Sequence, residues 1–205
     1  MYIPPHFRED DLGRLDWLAQ HDAFGTLISQ VDGVPFATHL PVLYQRADSE
    51  VVLKGHWARP NPQWRAIEGQ QVLFIFHGPH AYISPQWYVE PARHVPTWDY
   101  ATAHVYGSIR LIQDPENIEA IVSTLADQYE RGTRNPWRMS GSAGKDMLRG
   151  IVGFELLAER IELKFKLNQN HIRGNIEGAI AGLSASNAPD AQTVAGLLQE
   201  VSSKK

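Results

Sequence analysis

The chain has 205 residues, no cysteine and a formal net charge of −4 at pH 7, with an isoelectric point near 6.1. The missing cysteines exclude disulfides, thiolate catalysis and cysteine-bound metals, and they suit the cytoplasmic location that we expect. An acidic chain argues against tight binding of duplex DNA, because neutralised phosphates supply most of that affinity. We expect neither a secretory signal nor a membrane-spanning helix, since the first ten residues lack a signal pattern and no apolar run approaches about 20 residues.

The first third of the chain predicts one helix and then strands. Asp10 is a candidate N-cap for a helix that ends near His21. Residues 25–31 read as a strand, Asp32-Gly33 is a strong hairpin signal, and residues 35–44 read as the returning strand.

The middle of the chain predicts more strands around an aromatic loop. Residues 51–54 form the next strand, and a short helix follows at 62–67. The apolar run 71–77 predicts a central strand that is buried on both faces. A short extended piece at 81–84 precedes a loop at 85–97 that is rich in proline and aromatic residues.

The last part of the chain mixes strands and helices. A strand is predicted at 103–111, and Pro115 begins a helix that reaches about Tyr129. A Gly- and Ser-containing loop and a short helix lead to a pair of strand segments within 151–167. From Asn175 onward two short helices are separated by 186–190.

These elements predict a mainly β fold with peripheral helices, of the α+β class. Five or six strands with hairpin connections favour an antiparallel barrel over a βαβ sheet. We expect residues 1–170 to form one domain, with residues 171–205 as a helical extension packed on the same domain.

The segment after the strand at 51–54 has the composition of a phosphate site. Lys54, His56 and Arg59 are expected at the end of this strand, just before a helix N-terminus, where backbone N–H groups and an arginine can bind an anion. Asn61 can cap the helix or donate to the phosphate. The alternative interpretation is a strand-to-helix connection whose polar residues are simply solvated.

A second group of candidates is aromatic. Tyr82, Trp87 and Tyr88 can stack on a planar ligand whose polar edge bonds to Ser84. Thr97 and Trp98 are expected in a loop. The alternative is an aromatic loop that packs on the mouth of a barrel.

Histidines and a polar cluster complete the candidates. His104 is expected at the start of a strand, where a histidine is more often structural than a ligand. His77 and His80 have a spacing that suggests zinc, but no carboxylate or cysteine accompanies them, so we predict no metal site. Lys166 and Gln169 end the last strand, where they can serve the polar edge of a ring or a phosphate, or cap the strand and start a turn.

Taken together, several segments resemble the PaiB-like family of FMN-binding negative transcriptional regulators. They occur in family order from the first residue to about Asn170, so that the resemblance covers nearly the whole chain. The matching segments are Met-Tyr-Ile-Pro-Pro-His-Phe at 1–7, His-x-Ala-Arg-x-Asn-Pro at 56–62, Gly-Pro-His-Ala-Tyr-Ile-Ser-Pro at 78–85, Val-Pro-Thr-Trp at 95–98 with Tyr100 and His104, and Lys-Leu-x-Gln-Asn at 166–170.

The resemblance implies an FMN-binding split β-barrel related to the pyridoxamine-phosphate-oxidase-like flavoproteins. Such proteins are homodimers with FMN at the subunit interface. By analogy, Arg59 and Asn61 are the best candidates for the FMN phosphate, and the segments 82–87 and 97–98 would line the ring. Two positions depart from the family pattern, which commonly has Asn where this chain has Asp99 and Ser where it has Asn168.

Three functions follow from this resemblance and its fold. The first is a regulator that represses transcription, either by direct DNA binding or indirectly; no basic recognition helix is evident, and the segment 177–183 has no Arg or Lys. The second is an FMN-dependent oxidoreductase or flavin reductase in which His56 or His104 is the only evident acid or base. The third is a haem- or ligand-binding module in which His56, His80 or His104 would supply an axial ligand.

Overall fold

The computed structural model describes residues 1–139, 144 and 146–204. Within these residues, no helix has both the length and the apolar character needed to cross a membrane.

The described residues form eight strands and five α-helices. The strands are β1 (Arg8–Glu9), β2 (Phe24–Val31), β3 (Val34–Pro41), β4 (Leu43–Ala47), β5 (Glu50–Ala58), β6 (Gln71–Ile83), β7 (Thr97–Ile112) and β8 (Ile151–Lys166). The helices are α1 (Leu12–His21), α2 (Gln63–Ala66), α3 (Pro115–Tyr129), α4 (Arg173–Ser184) and α5 (Ala191–Ser203). Short 3-10 helices lie at Pro5–Phe7, Pro85–Trp87, Pro91–Arg93 and Leu148–Gly150.

The strands belong to one mostly antiparallel sheet in the order β3-β2-β6-β7-β8-β5-β4, with β1 also paired to β8. The mainly β fold with peripheral helices is therefore confirmed, although the described strands form an open path and do not close into a barrel. The number of strands exceeds the five or six predicted.

The chain divides into two compact units. We call residues 1–18, 77–103 and 162–205 the terminal unit, and residues 19–76 and 104–161 the central unit. The predicted helical extension 171–205 lies within the terminal unit.

The central unit contains the hairpin that the sequence predicts. Asp32 and Gly33 have φ angles of 53° and 76°, which is the left-handed region that a two-residue hairpin turn requires. The turn places β2 and β3 in register from Phe24 opposite Pro41 to Val31 opposite Val34. Its core is built from fully buried apolar side chains on these and neighbouring elements, among them Leu27, Leu53, Trp57, Phe74 and Phe154.

The predicted returning strand 35–44 is in fact two strands. The break falls at Val42, which is fully buried and donates its N–H to the Ala23 carbonyl. Before the break β3 pairs with β2, and after it β4 pairs with β5. The sequence shows no break because both strands are equally rich in β-forming residues.

Several strands are longer than their sequence patterns indicated. The pieces 71–77 and 81–84 are one strand, β6, which continues through Gly78. Position 78 requires a glycine, because a Cβ there would lie 2.5 Å from the Ala101 carbonyl oxygen. Burial along β6 alternates, so the prediction of a strand buried on both faces was wrong. The predicted segments within 151–167 are likewise one strand, β8.

The observed bounds of β5 and β7 place two groups of candidate residues differently from the prediction. Since β5 continues to Ala58, Lys54 and His56 lie within it and not at its end. Since β7 begins at Thr97, Thr97 and Trp98 lie in a strand and not in a loop, and His104 lies in its middle. Long alternating strands whose ends carry polar residues are hard to separate from loops by pattern alone.

Helix termini follow the expected chemistry with one shift. Pro115 occupies the first turn of α3, as predicted. The structure adds a cap from the Asp114 side chain, which accepts from the Asn117 N–H. At the start of α1, the Asp11 side chain accepts the Gly13 N–H. The predicted cap, Asp10, instead accepts a hydrogen bond from the Arg8 side chain. Helices α4 and α5 match the predicted pair after residue 175. The short helix predicted before residue 151 falls partly on residues 140–143 and 145, which lie outside the described residues.

Candidate functional site

In the central unit, Arg59 is bonded to the protein's own backbone. Its Nε donates to the Arg149 carbonyl at 2.7 Å and its Nη2 donates to the Ile151 carbonyl at 2.9 Å. Its backbone N–H also donates to the Gly150 carbonyl at 2.8 Å. Arg59 thereby fixes the start of β8, yet a guanidinium carries five N–H groups and three of them are not used in these two bonds.

Asn61 closes the turn that follows. Its Oδ1 accepts the Gln63 N–H at 2.9 Å, and its Nδ2 donates to Thr38 Oγ1 at 3.0 Å. The side chain therefore caps α2, one of the two roles that the sequence suggested. Since α2 is a single turn of four residues, its N-terminus is not the helix-dipole site that a phosphate prediction assumed.

Gln63 is the buried polar residue that holds this region together. It is fully buried, and its Nε2 donates to Ser29 Oγ and to the carbonyls of Leu27 and Phe36 at 3.0–3.2 Å. Its Oε1 accepts the Trp57 indole N–H at 2.9 Å. A glutamine after Asn-Pro gives no signal in the sequence that it will be an internal anchor.

The remaining candidates of the central unit also have protein partners, except for one atom. Lys54 Nζ lies 3.3 Å from Glu155, whose pKa is held below its usual range first by the Arg110 hydrogen bond and then by Lys54. His104 Nδ1 lies 3.4 Å from the Tyr106 hydroxyl. The Nδ1 atom of His56 is buried without a hydrogen-bond partner, and burial lowers the pKa of this imidazole.

In the terminal unit, two predicted aromatic residues form an exposed pair. Tyr82 on β6 and Trp98 on β7 are 44% and 53% exposed, with ring centroids 6.1 Å apart in an edge-to-face arrangement. The His80 ring lies 6.0 Å from the indole. Large aromatic faces left in water are typical of a surface that binds a ligand or a partner.

Three other candidates of the terminal unit have local structural roles. Ser84 Oγ accepts the Gln86 N–H and caps the 3-10 helix at Pro85–Trp87. Trp87 packs on α4, where a Cβ on Gly178 or Gly182 would overlap its backbone or its ring. Gln169 bonds within its own turn, accepting from the Leu167 N–H and donating to the Phe165 carbonyl.

Lys166 lies at the centre of a partly buried polar cluster. Its Nζ donates to Thr97 Oγ1 at 2.7 Å and to the Trp98 carbonyl, and it lies 3.4 Å from Asp99 Oδ1. Asp99 is fully buried, and its Oδ2 has no hydrogen-bond partner. Burial raises the pKa of Asp99 to about 7, and the positive charge of Lys166 opposes only part of this shift.

Asn168 joins the same cluster from the end of β8. It has a φ of 57°, a conformation that asparagine tolerates better than most residues. Its Oδ1 accepts the Tyr88 hydroxyl at 3.1 Å, and its backbone N–H bonds to Asp99. Its Nδ2 is buried without a partner. Burial raises the pKa of Tyr88 to about 12, so its phenol stays protonated and donates.

Two histidines stand beside Tyr88, and the sequence gave no reason to group them. The rings of His94 and His171 are 5.3 Å apart, and both pack on the Tyr88 ring at 4.8–4.9 Å. Buried Asn175 places its Nδ2 at 3.3–3.4 Å from one nitrogen of each ring, while its Oδ1 accepts the Val89 N–H. No group of three or more metal-ligating side chains occurs in the described part of the chain.

These groups surround a cavity of about 340 Å³ that lies entirely in the terminal unit. Of the predicted cofactor residues, Thr97 and Lys166 line it. Tyr88, His94, Asn168 and His171 line it too. The sequence offers Tyr88 as a stacking residue and places Asn168 in the polar cluster that ends the last strand, but it gives no signal for His94 or His171.

Solved structures identify the class to which this fold belongs. The flavocytochrome Anf3 from Azotobacter vinelandii superimposes with a TM-score of 0.61 at 13% identity, covering 80% of this chain and 72% of that one. An FAD- and haem-binding protein from Mycobacterium smegmatis gives a TM-score of 0.55 at 19% identity, covering 78% and 73%. At such identities the likeness establishes the fold alone, which is that of the split-barrel flavoproteins.

Sequence comparison then places the chain within this class. Residues 1–160 match the family described as "Putative FMN-binding domain", and the chain belongs to that family. It is also 36% identical over 204 residues to "Protease synthase and sporulation protein PAI 2" of Bacillus subtilis, covering 98% of this chain and 97% of the relative. These findings confirm the PaiB-like resemblance and FMN as the cofactor.

The chemistry of the candidate residues fits FMN. In the terminal unit the exposed faces of Tyr82 and Trp98 can contact a planar ring. In the central unit Arg59 keeps N–H groups that can donate to a phosphate in addition to the two carbonyls it already binds. When bound, FMN supplies the redox chemistry, and the protein supplies binding and orientation.

Proposed function

We propose that this chain is an FMN-binding regulator that works in the cytoplasm as a homodimer, with FMN at the subunit interface. The observation that carries the proposal is the family match over residues 1–160, together with the exposed aromatic pair Tyr82 and Trp98. A second subunit or a bound flavin ring would each remove these aromatic faces from water, which supports both parts of the proposal.

A regulatory role is favoured over the enzymatic and haem-binding alternatives. The Bacillus subtilis relative, which matches over nearly its whole length, carries a name that refers to sporulation. His56, a candidate acid or base, is partly buried, and this burial lowers the pKa of its imidazole, which disfavours the charged form that a general acid needs. His104 has the Tyr106 hydroxyl beside its ring.

We infer further that regulation does not use the C-terminal helices as DNA-recognition helices. Helix α5 contains no Arg or Lys, and the single arginine of α4, Arg173, pairs with Glu177 at 2.8 Å. A recognition helix normally presents basic side chains to phosphates and bases. A gel-shift assay at low salt with a promoter fragment tests direct DNA binding, and the absence of a shift would rule out direct repression. Salt-sensitive retention that Arg173→Ala weakens would contradict the inference about the C-terminal helices.

The cofactor is tested by a visible absorbance spectrum of the purified protein, repeated after addition of FMN and desalting. We expect a flavin spectrum that survives desalting, with one FMN per chain. A colourless protein that does not retain added FMN would overturn the proposal.

The contribution of Arg59 to FMN binding is tested by Arg59→Ala. Loss of a charge-assisted contact to phosphate is expected to weaken FMN binding by about 2–3 kcal/mol, measured by quenching of flavin fluorescence. The matched control is Arg110→Ala, which removes an arginine of the same unit that binds Glu155. Equal FMN affinities in the two folded variants would remove Arg59 from the phosphate site.

The homodimer is tested by light scattering coupled to size-exclusion chromatography, with and without FMN. We expect twice the chain mass of 23.1 kDa. A monomer that nevertheless binds FMN would contradict the interfacial location of the cofactor while leaving FMN binding intact.

A further inference from the structure

The cavity of the terminal unit has a charge pattern that favours anions. Its lining includes the cations Lys166 and Arg93 and the three imidazoles of His6, His94 and His171. No Asp or Glu is found among the described residues that line it. The carboxylates that partner the two cations, Asp99 and Glu90, are held outside the lining.

One donor in this cavity has nothing to bind. Asn168 is 2% exposed and lines the cavity, and its Nδ2 has no hydrogen-bond partner. A buried donor left unsatisfied costs free energy, so native proteins rarely keep one without a reason. Its Oδ1 accepts the Tyr88 hydroxyl, so the NH₂ group is the part of the amide that is left without a partner.

The start of α4 adds a second source of positive potential. Asn170 and His171 line the cavity immediately before this twelve-residue helix, whose N-cap residue Ile172 provides no side-chain cap. The first N–H groups of a helix are unpaired by the helix itself and carry a partial positive charge. This partial positive charge lies next to the lining residues Asn170 and His171 in the chain.

Apolar side chains complete the wall. Phe7, Val95 and the ring of Tyr88 face the same cavity as the polar groups. A volume of about 340 Å³ is at the small end of the range for ligand pockets. The cavity therefore suits a small molecule that has an oxyanion at one end.

We propose that this cavity binds an oxyanion, the carboxylate or phosphate of a small molecule, through the NH₂ group of Asn168 and the cations Lys166 and Arg93. The proposal goes beyond FMN binding, because it is argued from the terminal unit alone. The expected source of the oxyanion is a small molecule other than FMN; if the phosphate of FMN occupies the cavity instead, Arg59 is not its phosphate site.

The test is a titration of ¹⁵N-labelled, FMN-free protein with inorganic phosphate, and separately with benzoate, followed by two-dimensional NMR. We expect saturable shifts of the side-chain NH₂ signals of Asn168, beyond those caused by sodium chloride at equal ionic strength. Asn168→Asp replaces the donor with a carboxylate oxygen and should weaken binding about tenfold or more. The matched control, Asn187→Asp in the exposed loop between α4 and α5, should bind as the wild type does.

Either of two results would overturn the proposal. One is the absence of saturable shifts at Asn168 in the wild-type protein, a measurement that does not depend on any variant folding. The other is unchanged affinity in a folded Asn168→Asp variant. Repeating the titration on FMN-loaded protein identifies the source: retained phosphate binding indicates a separate ligand, and lost binding indicates that the FMN phosphate fills the cavity.

Discussion

The two units of this molecule treat their polar side chains differently. In the central unit, Arg59, Asn61 and Gln63 give hydrogen bonds to backbone carbonyls and to neighbouring side chains. In the terminal unit, the cluster around Lys166 leaves one atom of Asp99 and one of Asn168 buried without a partner. Residue types typical of binding sites occur in both, so composition alone does not separate the two cases.

The difference teaches where to look for a ligand. A buried polar group that is fully bonded stabilises the fold, whereas a buried group without a partner costs free energy until something binds it. By this criterion the polar side chains of the central unit stabilise the fold, except that the Nδ1 atom of His56 is buried without a partner. The terminal unit is the stronger candidate for a ligand pocket. The following variants can break or sharpen that contrast.

The largest effect is expected from Gln63→Leu in the central unit. The change leaves the indole N–H of Trp57 and three acceptors without their partner inside the core. We expect the free energy of unfolding to fall by about 3–5 kcal/mol, measured by urea denaturation. Gln86→Leu, at an exposed position, is the matched control. Equal stability of the two variants would show that the Gln63 network is not what holds this unit together.

Asp99→Asn in the terminal unit should raise the free energy of unfolding, the opposite of the effect expected for Gln63→Leu. Burial raises the pKa of Asp99 from its ordinary 3.8 to about 7 in the folded protein, so the folded state binds the proton more tightly than the unfolded state. The free energy of unfolding therefore falls as pH rises from about 4 to 7, and the asparagine variant escapes this loss. Above pH 7 we expect the variant to be more stable by roughly 2–4 kcal/mol, with no difference of this kind near pH 4.

The control for this variant is Asp48→Asn, which removes a carboxylate from an exposed turn. Denaturation curves at several pH values between 4 and 8 provide the measurement. A stability difference between Asp99→Asn and the wild type that does not grow with pH would mean that Asp99 is ionised in the folded protein throughout this range.

The smallest effect is expected from Asn61→Ala. Loss of the α2 cap and of the bond to Thr38 should lower the free energy of unfolding by about 1 kcal/mol. FMN affinity should stay within threefold of the wild type, because the side chain already serves the fold. A tenfold loss of FMN affinity at unchanged stability would instead place Asn61 at the phosphate, as the family resemblance suggests.

The sequence predicted those parts of the fold that depend on neighbouring residues. The Asp32-Gly33 turn and the start of α3 at Pro115 depend on local chemistry, and both are present. The continuity of β6 through Gly78-Pro79 was missed, because these residues normally interrupt a strand. What overrides that preference is a strand passing close to Gly78, which no local pattern reveals.

The candidate site was predictable only as a set of residue types. The aromatic residues Tyr82 and Trp98 are exposed, as a ring-binding surface requires. In contrast, the carbonyls that Arg59 binds lie about 90 residues further along the chain. Tyr88, Asp99 and Asn168 come together from three separate segments, so their contact follows from tertiary structure and not from spacing.

The two glycines of α4 that contact Trp87 have a consequence for the cavity. Gly178 and Gly182 are four residues apart, on one side of the helix, and leave room for the backbone and indole of Trp87 to lie against it. Each glycine costs the helix about 1 kcal/mol relative to alanine. Because these positions carry no side chain, Trp87, the neighbour of Tyr88 in the chain, contacts the helix backbone directly. The two glycines thus act as a spacer that fixes the distance of one cavity wall, so that the position of Tyr88 tolerates less variation than its place in an irregular segment suggests.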